Sequence, residues 1–535
     1  MEPFLMKGRR VFLRRSLLGA GALLGLGGCA AVGPDFHGPG RVRLPEGWEK
    51  RRHRRDPHLA RWWTIYHDRD LDRLVQLAYR QNLDLKSAGL RILQARAVLG
   101  IRKGMAFPQV QQLSGSATLS DSNKLPSSDS VNAAFDLGWE LDLWGKYARG
   151  TESAEAQLYA AIASYDDILV TVIAEVARNY IAYRTAQERI AYARRNIAIQ
   201  EYVTKVTEIQ FNSGNVSELD MQQARTQLHS TRSALYDLQL SMIRARNALA
   251  LLLGLNPGEA DRYLTRRRVR DDFRRITRRE KGAIQLKEGG ELLGISLIPK
   301  PRFDPRRPID AELITRRPDV RVAEYRAHAQ SAQIGVATAE LYPSFSLIGS
   351  ISYANPSAIP FTPGHSIGVI AGPSFAWNLF QYGRIRNNIR LQDARFEEAL
   401  VRYNKTVLGA VHEVSYALDN YRYTRKQLLE SEAAVKASVR AFNISMRQYN
   451  DGLVSYQRLL KSVESLTRYQ DQYARLRGNM ATQVALLYKA LGGGWQISRG
   501  GRYLSEETVR HLRERTDWGK MLEKEQVILP KGWGG

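Results

Sequence analysis

The sequence predicts a mixed α and β membrane protein whose fold is an internal duplication. Three motifs recur about 238 residues further along the chain. Each half holds one pair of alternating strands of the length that crosses a bilayer. Each half also holds a pair of helices too long for a compact core. Because a repeat of this length is no solenoid unit, it indicates one structural half that was duplicated and fused.

The recurring motifs take equivalent places in the two halves. They pair 139–146 (WELDLWGK) with 377–384 (WNLFQYGR), 211–217 (FNSGNVS) with 449–455 (YNDGLVS), and 249–254 (LALLLG) with 487–492 (LYKALG). A fourth pair, 106–108 (AFP) and 341–343 (LYP), has a spacing of about 235 residues. These motifs predict a first structural repeat at 61–257 and a second at 311–494.

A lipoprotein signal peptide is predicted at residues 1–28. Basic residues precede a short apolar run, Ser16 to Leu26, which is too short to span a bilayer. Small residues then precede Cys29, a pattern typical of bacterial lipoproteins that are cleaved before the cysteine and acylated on it. Because Ala and not Asp follows that cysteine, delivery to the outer membrane is expected. The alternative is an ordinary signal peptide with an incidental cysteine.

The next stretch of the chain leads into the first repeat. Residues 29–60 are expected to form an extended N-terminal segment, because Gly, Pro and Arg are frequent there. From Leu71, apolar residues recur at spacings of three and four, which predicts a helix. Pro108 ends that helical run.

Each repeat then contains a β-hairpin with one apolar and one polar face. In the first hairpin, at about 110–143, apolar residues take every odd position of 131–143. The second hairpin, at about 344–380, alternates in the same way. The two turns are expected at about 121–130 and 356–364.

Four transmembrane strands have a consequence for assembly. About eight strands are needed to close the smallest barrel, and unpaired strand edges are not tolerated in lipid. The sequence therefore predicts an oligomer. Three copies would give a twelve-stranded β-barrel, although the residues alone do not fix that number. The predicted transitions between barrel and helices are Pro108, Gly145, Pro343 and Gly383.

Long helices follow each hairpin and reverse at a glycine turn. Apolar residues between Ile162 and Val176 step by three and four, the spacing of a coiled-coil seam. Helices of this length suit a tube that projects from the membrane, with its far tip at the turns. Ser217 and Ser455 are expected to cap the returning helices. The predicted tip residues, where a partner would dock, are Phe211, Gly214, Val216, Ser217, Tyr449, Gly452, Val454 and Ser455.

Two segments lie outside the repeat. Residues 258–310 form a basic linker, which is expected to be a solvated connection or a surface helix, and 495–535 form a C-terminal tail. The formal net charge of the whole chain is +25. A basic balance suits polyanion partners such as acidic lipid or lipopolysaccharide. No nucleic-acid-binding motif accompanies it, so no nucleic acid partner is expected.

Several motifs together resemble one family, the outer membrane factors or TolC-like channels, and within it the NodT/OprM-type efflux lipoproteins. They are 313–321 (LITRRPDVR), 334–337 (IGVA), 341–345 (LYPSF), 29–36 (CAAVGPDF) and 490–495 (ALGGGW). The resemblance covers roughly residues 29–255 and 310–520. It implies a homotrimer, with a twelve-stranded outer-membrane barrel continued by a long periplasmic α-helical coiled-coil tunnel. It further implies a passive exit duct for small molecules, served by an inner-membrane pump through a periplasmic membrane-fusion adaptor.

The chain departs from that family pattern at one place. Family members commonly carry Asp residues just after the second glycine turn, where they line the closed periplasmic mouth. The corresponding residues here are Arg458 and Lys461, while Asp220 takes the comparable place in the first half. Basic residues at a pore mouth favour anions. The alternative is that both side chains point outward and line nothing.

Other functional classes were weighed against the channel. No catalytic, phosphate-binding or metal-ligating motif is present, so neither an enzyme, nor a cofactor, nor a metal site is predicted. A periplasmic coiled-coil lipoprotein scaffold would explain the helices but not the alternating hairpins. Within the channel class, the exit duct of a type I protein secretion system is the alternative to efflux.

Overall fold

The protein is largely helical, with a small four-stranded sheet at one end. The computed structural model describes residues 31–39, 59–123, 125–265, 277–280, 283–286, 297–303, 312–355, 365–498 and 503–523. The first half contains α1 (Arg69–Gln81), α2 (Leu83–Gly104), β1 (Val110–Ser122), β2 (Leu125–Leu141), α3 (Lys146–Asn212) and α4 (Glu218–Leu252). A short hairpin follows, with β3 (Thr277–Glu280) and β4 (Ala283–Leu286). The second half contains α5 (Pro318–Ala339), β5 (Ser344–Asn355), β6 (Ser366–Ala376), α6 (Arg384–Asn450) and α7 (Tyr456–Ala490), before a final helix α8 (Glu506–Arg515).

The helix boundaries carry the internal duplication. Helices α3 and α6 each have 67 residues, and α4 and α7 each have 35. The two boundaries of each pair differ by 238 positions, the spacing of the sequence motifs. Helices α2 and α5 each have 22 residues and differ by 235, the spacing of the fourth motif pair. The two halves are therefore superposable in sequence along their helices.

The strands form one antiparallel sheet in the order β1-β2-β5-β6. Phe135 lies opposite Leu113 on one side and Ile351 on the other, and Ile351 lies opposite Val369, so the odd-numbered apolar residues share one face. Each half thus contributes one hairpin with the alternation that the sequence shows.

The expected turn of the first hairpin, at about 121–130, is wrong. Strand β1 continues to Ser122 and β2 begins at Leu125, so the hairpin is longer than predicted. Ser, Asp and Pro gave this stretch the composition of a loop. In the folded chain, however, the backbone ladder continues with Leu119 opposite Asp129, and the Thr118 and Ser130 hydroxyls lie 2.7 Å apart. The expected turn at 356–364 lies outside the described residues.

Repeated tryptophans bind the approach to each hairpin. The Trp139 indole donates to the carbonyl oxygen of Ala106 at 3.2 Å, and the Trp377 indole donates to that of Leu341 at 3.0 Å. Both acceptors belong to the fourth motif pair. The two spacings of the duplication, 238 and 235, therefore meet in one repeated contact.

Helix α3 is the centre of the helical part. It packs against α2 and α4 of its own half and against α5 and α7 of the other. The predicted seam residues of α3 are all buried: Ile162, Tyr165, Leu169, Val172 and Val176. At a rise of ~1.5 Å per residue, a helix of this length extends ~100 Å, far beyond a compact core.

A short 3-10 helix, Trp62–Tyr66, ties the start of the first repeat to the second half. The Trp62 ring stacks on Tyr488 of α7 with centroids 5.5 Å apart. The Tyr66 hydroxyl donates to the carbonyl oxygen of Ala481 at 2.7 Å. Burial raises the pKa of Tyr66 well above its usual value, so the phenol stays a neutral donor.

A buried ionic network lies beside this aromatic cluster. Arg184 of α3 is fully buried, and its Nη2 donates to Asp70 Oδ2 at 2.6 Å. Its other guanidinium donors reach Tyr180, Gln187 and the carbonyl oxygen of Thr265, so all five N–H groups have acceptors. A buried charge satisfied this completely fixes α1, α3 and the end of the first half in one arrangement.

The motif at 313–321 has a structural role. Arg317 forms a bidentate pair with Asp319 at 3.0 and 2.8 Å, and also donates to Glu413 of α6 at 2.8 Å. Its Nη1 donates to the carbonyl oxygen of Ala490 at the end of α7. This arginine therefore fastens the start of α5 to both long helices of the second half.

For its described parts, the expectation that 258–310 is a solvated linker or surface helix is wrong. The Thr265 hydroxyl donates to Asp70 at 2.6 Å, and the backbone N–H groups of Leu297 and Ile298 donate to Glu188 at 3.1 and 3.4 Å. Between these anchors, β4 lies against α6. Single apolar residues spaced far apart make these contacts, so no periodic pattern announced them.

The hairpin β3–β4 reaches far down the helices. The Asn443 side chain donates to the carbonyl oxygen of Leu286 at 2.9 Å and accepts from its N–H at 2.8 Å. Leu286 is buried in the same cluster as Phe442 and Tyr449, close to the second glycine turn. The segment between the halves therefore runs from the level of Glu188 almost to the tip.

The C-terminal tail also packs back onto the helices. Trp495 is buried with the Arg321 guanidinium over its ring, and the Ser498 hydroxyl donates to Asp166 at 2.8 Å. The ring of Tyr503 meets that of Tyr165 edge-on at 5.0 Å. Residues 503–523 thus belong to the same body as α2 and α3.

Candidate functional site

The two glycine turns have nearly the same geometry. Asn215 N–H donates to the carbonyl oxygen of Gln210 at 2.8 Å, and Leu453 N–H donates to that of Gln448 at 2.8 Å. Gly214 and Gly452 have φ values of 74° and 71°, the left-handed conformation that ends a helix. Both turns lie at the ends of the longest helices, which is where the sequence predicts the tip.

The returning helices are capped differently. The Ser217 hydroxyl accepts from Asp220 N–H at 3.3 Å, while Asp220 accepts from Ser217 N–H at 3.2 Å, which completes a capping box. Ser455 makes no side-chain cap hydrogen bond, contrary to expectation. Arg458, three residues on, has no acceptor with which to return a bond to the Ser455 N–H.

A tyrosine pair anchors the second turn to the first half. Tyr449 and Tyr456 are buried, with ring centroids 5.9 Å apart and an edge-on arrangement. The Tyr449 hydroxyl donates to Thr207 Oγ1 of α3 at 3.3 Å. Val216 and Val454 pack against this cluster, so the two turns lie side by side.

The outer surface of the tip is partly apolar. Leu453 and Leu219 are exposed, while Gly214 and Gly452 leave the backbone accessible. Phe211 is half-buried, unlike its counterpart Tyr449. The sequence analysis named Tyr449 but missed Tyr456 and Leu453, although both lie within the recurring motif or directly after it.

The predicted mouth residues have distinct surroundings. The Asp220 carboxylate is engaged by Ser217, as described above. Arg458 is exposed, and Lys461 is exposed with its Nζ 3.8 Å from Glu464. Burial raises the pKa of Tyr449, with a smaller contribution from the Asp220 charge, which places that carboxylate close to the tyrosine pair. Asp220 is thus a capping residue first, whatever else it faces.

The transitions between sheet and helices are built on glycine. Gly145 and Gly383 start α3 and α6 with φ values of 75° and 81°. Pro108 lies between the end of α2 and β1, and Pro343 directly precedes β5. These four predicted transition residues therefore lie at the sheet-to-helix boundary in both halves.

An aromatic joint crosses the same boundary between the two halves. The Trp144 ring stacks on Tyr342 with centroids 4.6 Å apart, and its indole donates to the carbonyl oxygen of Pro343 at 2.8 Å. Trp144 follows β2 and Tyr342 precedes β5, and these two strands are paired. The joint therefore fixes the sheet contact between the halves where the strands meet the helices.

The N-terminal lead-in lies over this boundary. Val32 N–H donates to the carbonyl oxygen of Trp144 at 3.0 Å, and a Cβ on Gly145 would lie 2.6 Å from that of Ala31. Gly33 and Gly335 are equally close, since a Cβ on Gly33 would lie 2.4 Å from the Gly335 Cα. Two of the family-like motifs, about 300 residues apart in the sequence, are thus in contact.

Polar contacts hold the same segment. Arg149 donates to Asp35 at 2.7 Å, and this hydrogen bond lowers the pKa of the Asp35 carboxyl. The ring of Phe36 stacks on His328 at 4.7 Å. Cys29, the predicted lipidation site, lies outside the described residues, two positions before Ala31.

Other kinds of site were sought in the same ranges. Among the described residues, no helix combines the length and apolarity needed to span a membrane. Nor do those residues include a cluster of three or more His, Cys, Asp or Glu side chains suited to a metal ion.

A solved structure defines the class of protein to which this architecture corresponds. The outer-membrane channel OprN is 28% identical to this chain, with a TM-score of 0.70 over 87% of this chain and 100% of that one. The long helix pairs and the small sheet are thus those of an outer-membrane channel.

The family follows from the sequence. The model of the outer membrane efflux protein family matches residues 74–255 and 311–493, which are the two repeats, and the chain belongs to this family. It is similar to nodulation protein T of Rhizobium leguminosarum bv. trifolii, at 29% identity over 89% of this chain and 97% of that protein. It is also similar to the probable outer membrane lipoprotein SilC of Salmonella typhimurium, at 26% identity over 90% and 98%. The predicted family, efflux function and outer-membrane location are confirmed.

Proposed function

We propose that three copies of this chain form an outer-membrane channel that is a passive exit duct for small molecules. Each copy would contribute four strands to a twelve-stranded β-barrel and its long helices to a periplasmic tunnel. The open sheet supports this arrangement, because β1 and β6 are its outer strands in the described part of the chain. In lipid, their outward backbone groups need partners from other copies.

The aromatic joint between the halves carries the proposal. Within one chain, Trp144 after β2 stacks on Tyr342 before β5. The duplication places Tyr382 after β6 and Phe107 before β1 at the equivalent positions. Tyr382 is 100% exposed, with a φ of 46°, and Phe107 is exposed as well. Each chain thus presents one filled joint and the two halves of another, which neighbouring copies would complete.

The number of copies comes from the family resemblance, which implies three. Two copies would give eight strands, enough for a small barrel, and three would give twelve. Three copies would also surround a tunnel with the long helix pairs of six repeats. Such a tunnel suits passage of solutes along the tube.

The partners in this proposal follow from the tip. A periplasmic adaptor would dock on the exposed backbone of Gly214 and Gly452 and on Leu453. An inner-membrane pump would supply the energy through that adaptor, since the chain has no catalytic motif of its own. The exposed apolar face of the sheet would contact outer-membrane lipid and lipopolysaccharide.

The periplasmic mouth is proposed to carry basic residues. Arg458 and Lys461 are exposed on α7 just after the second turn. If they line the mouth with Asp220, the pore favours anions. Charge reversal of Arg458 and Lys461 should then shift the selectivity toward cations in planar bilayers. Unchanged selectivity would show that these side chains face away from the pore.

Lipidation at Cys29 is proposed to hold the channel at the membrane. Ala31 rests on Gly145, at the boundary between sheet and helices. At ~3.5 Å per residue, the cysteine lies within ~7 Å of that boundary. Cys29→Ala should leave the assembled channel functional but sorted less efficiently, and loss of folding would contradict this role.

Two alternatives remain distinguishable by experiment. A coiled-coil lipoprotein scaffold would not need a sheet whose outer face is apolar. The exit duct of a type I protein secretion system would use the same channel, and substrate tests in cells would separate it from efflux.

The test of the proposal is the mass of the detergent-extracted protein, corrected for bound detergent. Three copies are expected for the wild type. Tyr382→Ala should weaken the assembly, whereas Phe380→Ala, also exposed but outside the repeated joint, should not. A stable monomer of the wild type would refute the shared barrel.

A further inference from the structure

We propose that neighbouring copies also meet along a second seam, between α6 of one copy and α4 of the next, through two aromatic–leucine pairs. These pairs are Tyr423 with Leu240 and Leu429 with Tyr236, one residue of each pair from either copy. The inference rests on the proposed assembly and adds to it the residues that join the tunnel. It is drawn from the seam that the chain forms with itself.

Within one chain, α3 packs against α7 through small residues. Gly478 of α7 touches Thr185 of α3 so closely that a Cβ on the glycine would lie 2.2 Å from Thr185 Oγ1. Ala191 and Ala474 are buried in one cluster a little further along. These two contacts set the register of the two helices.

The duplication transfers this register to the next copy. Because α6 repeats α3 and α4 repeats α7 at a spacing of 238, Thr185 and Gly478 become Tyr423 and Leu240. Ala191 and Ala474 become Leu429 and Tyr236. All four replacements are large, and all four are exposed in one chain, by 65% and 45% for the first pair and 61% and 69% for the second.

The same difference is found along the rest of α6. Ala163 and Val170 of α3 are buried, whereas their counterparts Val401 and Leu408 on α6 are exposed. The seam residues that face the other way are buried in both helices, as Leu169 and Val407 show. Helix α6 thus has one face covered by its own chain and a second apolar face that only α3 has covered.

Charge distinguishes the two seams as well. Within the chain, Arg189 pairs with Asp471 at 2.6 Å and Arg477 pairs with Glu188 at 2.6 Å. At the four repeated positions the sequence has Gln427, Ser233, Gln239 and Lys426, which form no opposite-charge pair. The seam between copies is therefore aromatic and aliphatic, while the seam within a chain is ionic and close-packed.

This difference would prevent the halves from exchanging partners. A tyrosine or leucine has no room beside Thr185, where even a Cβ on Gly478 would clash. Helix α4 of a neighbour therefore cannot take the place of α7 on α3. The occupant of the exposed face of α6 is then α4 of a second copy, which fixes the order of helices around the tunnel.

Disulfide cross-linking tests the seam. Leu429→Cys combined with Tyr236→Cys should give linked dimers and trimers on non-reducing gels after mild oxidation, since paired small residues at this register come within disulfide range. Tyr423→Cys with Leu240→Cys should do the same. In the control, Leu429→Cys with Ile243→Cys, the second cysteine lies ~10 Å along α4 from Tyr236, so linking should fall at least tenfold.

The mass of each variant, measured before oxidation, separates the outcomes. Three copies with linked products from both matched pairs support the seam. Three copies without such products, or with equal linking in the control, overturn the seam and leave the channel proposal standing. A monomeric mass for the wild type refutes the proposed assembly, and the seam with it.

Discussion

Replacing Arg184 tests the buried network that joins α1, α3 and the end of the first half. Arg184→Met removes the only charge paired with Asp70 Oδ2 in the printed geometry and keeps an unbranched side chain of similar length. The carboxylate of Asp70 would stay almost fully buried, with donors only from Thr265. The variant should therefore lose stability locally around α1 and α3.

The size of the loss follows from the burial of both partners. Breaking a buried ion pair by removing one partner costs about 3–5 kcal/mol. The two remaining donors from Thr265 favour the lower end, about 3 kcal/mol, which is roughly a 100-fold change in an opening equilibrium. Arg184→Met combined with Asp70→Asn should recover at least half of that loss, because no unpaired charge is left.

The duplication supplies the matched control. Arg422 takes the position of Arg184 in the second half, but it is 59% exposed and its partner Asp419 lies 3.4 Å away. Exposed pairs contribute about 0–1 kcal/mol. Arg422→Met should therefore change little, although the substitution is chemically identical.

The assay is hydrogen exchange of backbone amides in α1 and α3 of the detergent-solubilised protein. It reports local opening and does not require reversible unfolding of the whole assembly. Exchange near Tyr180 should accelerate about 100-fold in Arg184→Met and less than threefold in Arg422→Met. Equal changes in the two variants would refute the argument that burial of the pair decides its contribution.

Three further predictions use the same residues as markers. Ser217→Ala should cost about 1 kcal/mol at the start of α4, whereas Ser455→Ala should cost almost nothing, and amide exchange in the first turns of α4 and α7 measures both. Asn443→Ala should release the hairpin β3–β4 and speed tryptic cleavage there, while Ile444→Ala, on the same helix but exposed, should not. Burial, and secondarily the Asp319 charge, raises the pKa of Asp167 to about 6, so its ionisation destabilises the fold as the pH rises from 4 to above 6. Asp167→Asn should therefore stabilise the protein at pH 7.5, by no more than ~3 kcal/mol, and change little at pH 4, and an equal gain at both pH values would contradict the assignment.

Much of the fold is readable from the sequence because the duplication supplies every element twice. The spacing of 238 residues matches the boundaries of α3, α4, α6 and α7, and the apolar alternation marks both hairpins. Periodicity works here because long helices and strands repeat the same physical environment many times. The glycine turns are equally clear, since Gly214 and Gly452 interrupt long helical patterns.

The rest depends on contacts that have no period. The segment between the halves is held by isolated anchors such as Thr265, Leu286 and Leu297, each satisfied by a different helix. The contact between Gly33 and Gly335 joins residues at opposite ends of the sequence. The failed cap at Ser455 arises because its neighbour Arg458 cannot accept a hydrogen bond, which a motif with serine in the right place conceals.

The position of the N-terminal lead-in sets the order in which a subunit is completed. Residues 31–36 rest on Gly145 of the first half and Gly335 of the second, so the groove that receives them exists only once the halves have met. The earliest part of the mature chain to be synthesised is therefore the last to settle. A chain acylated at Cys29 would be tethered to the membrane while its helices and strands assemble, and docking of the tether would mark a finished subunit.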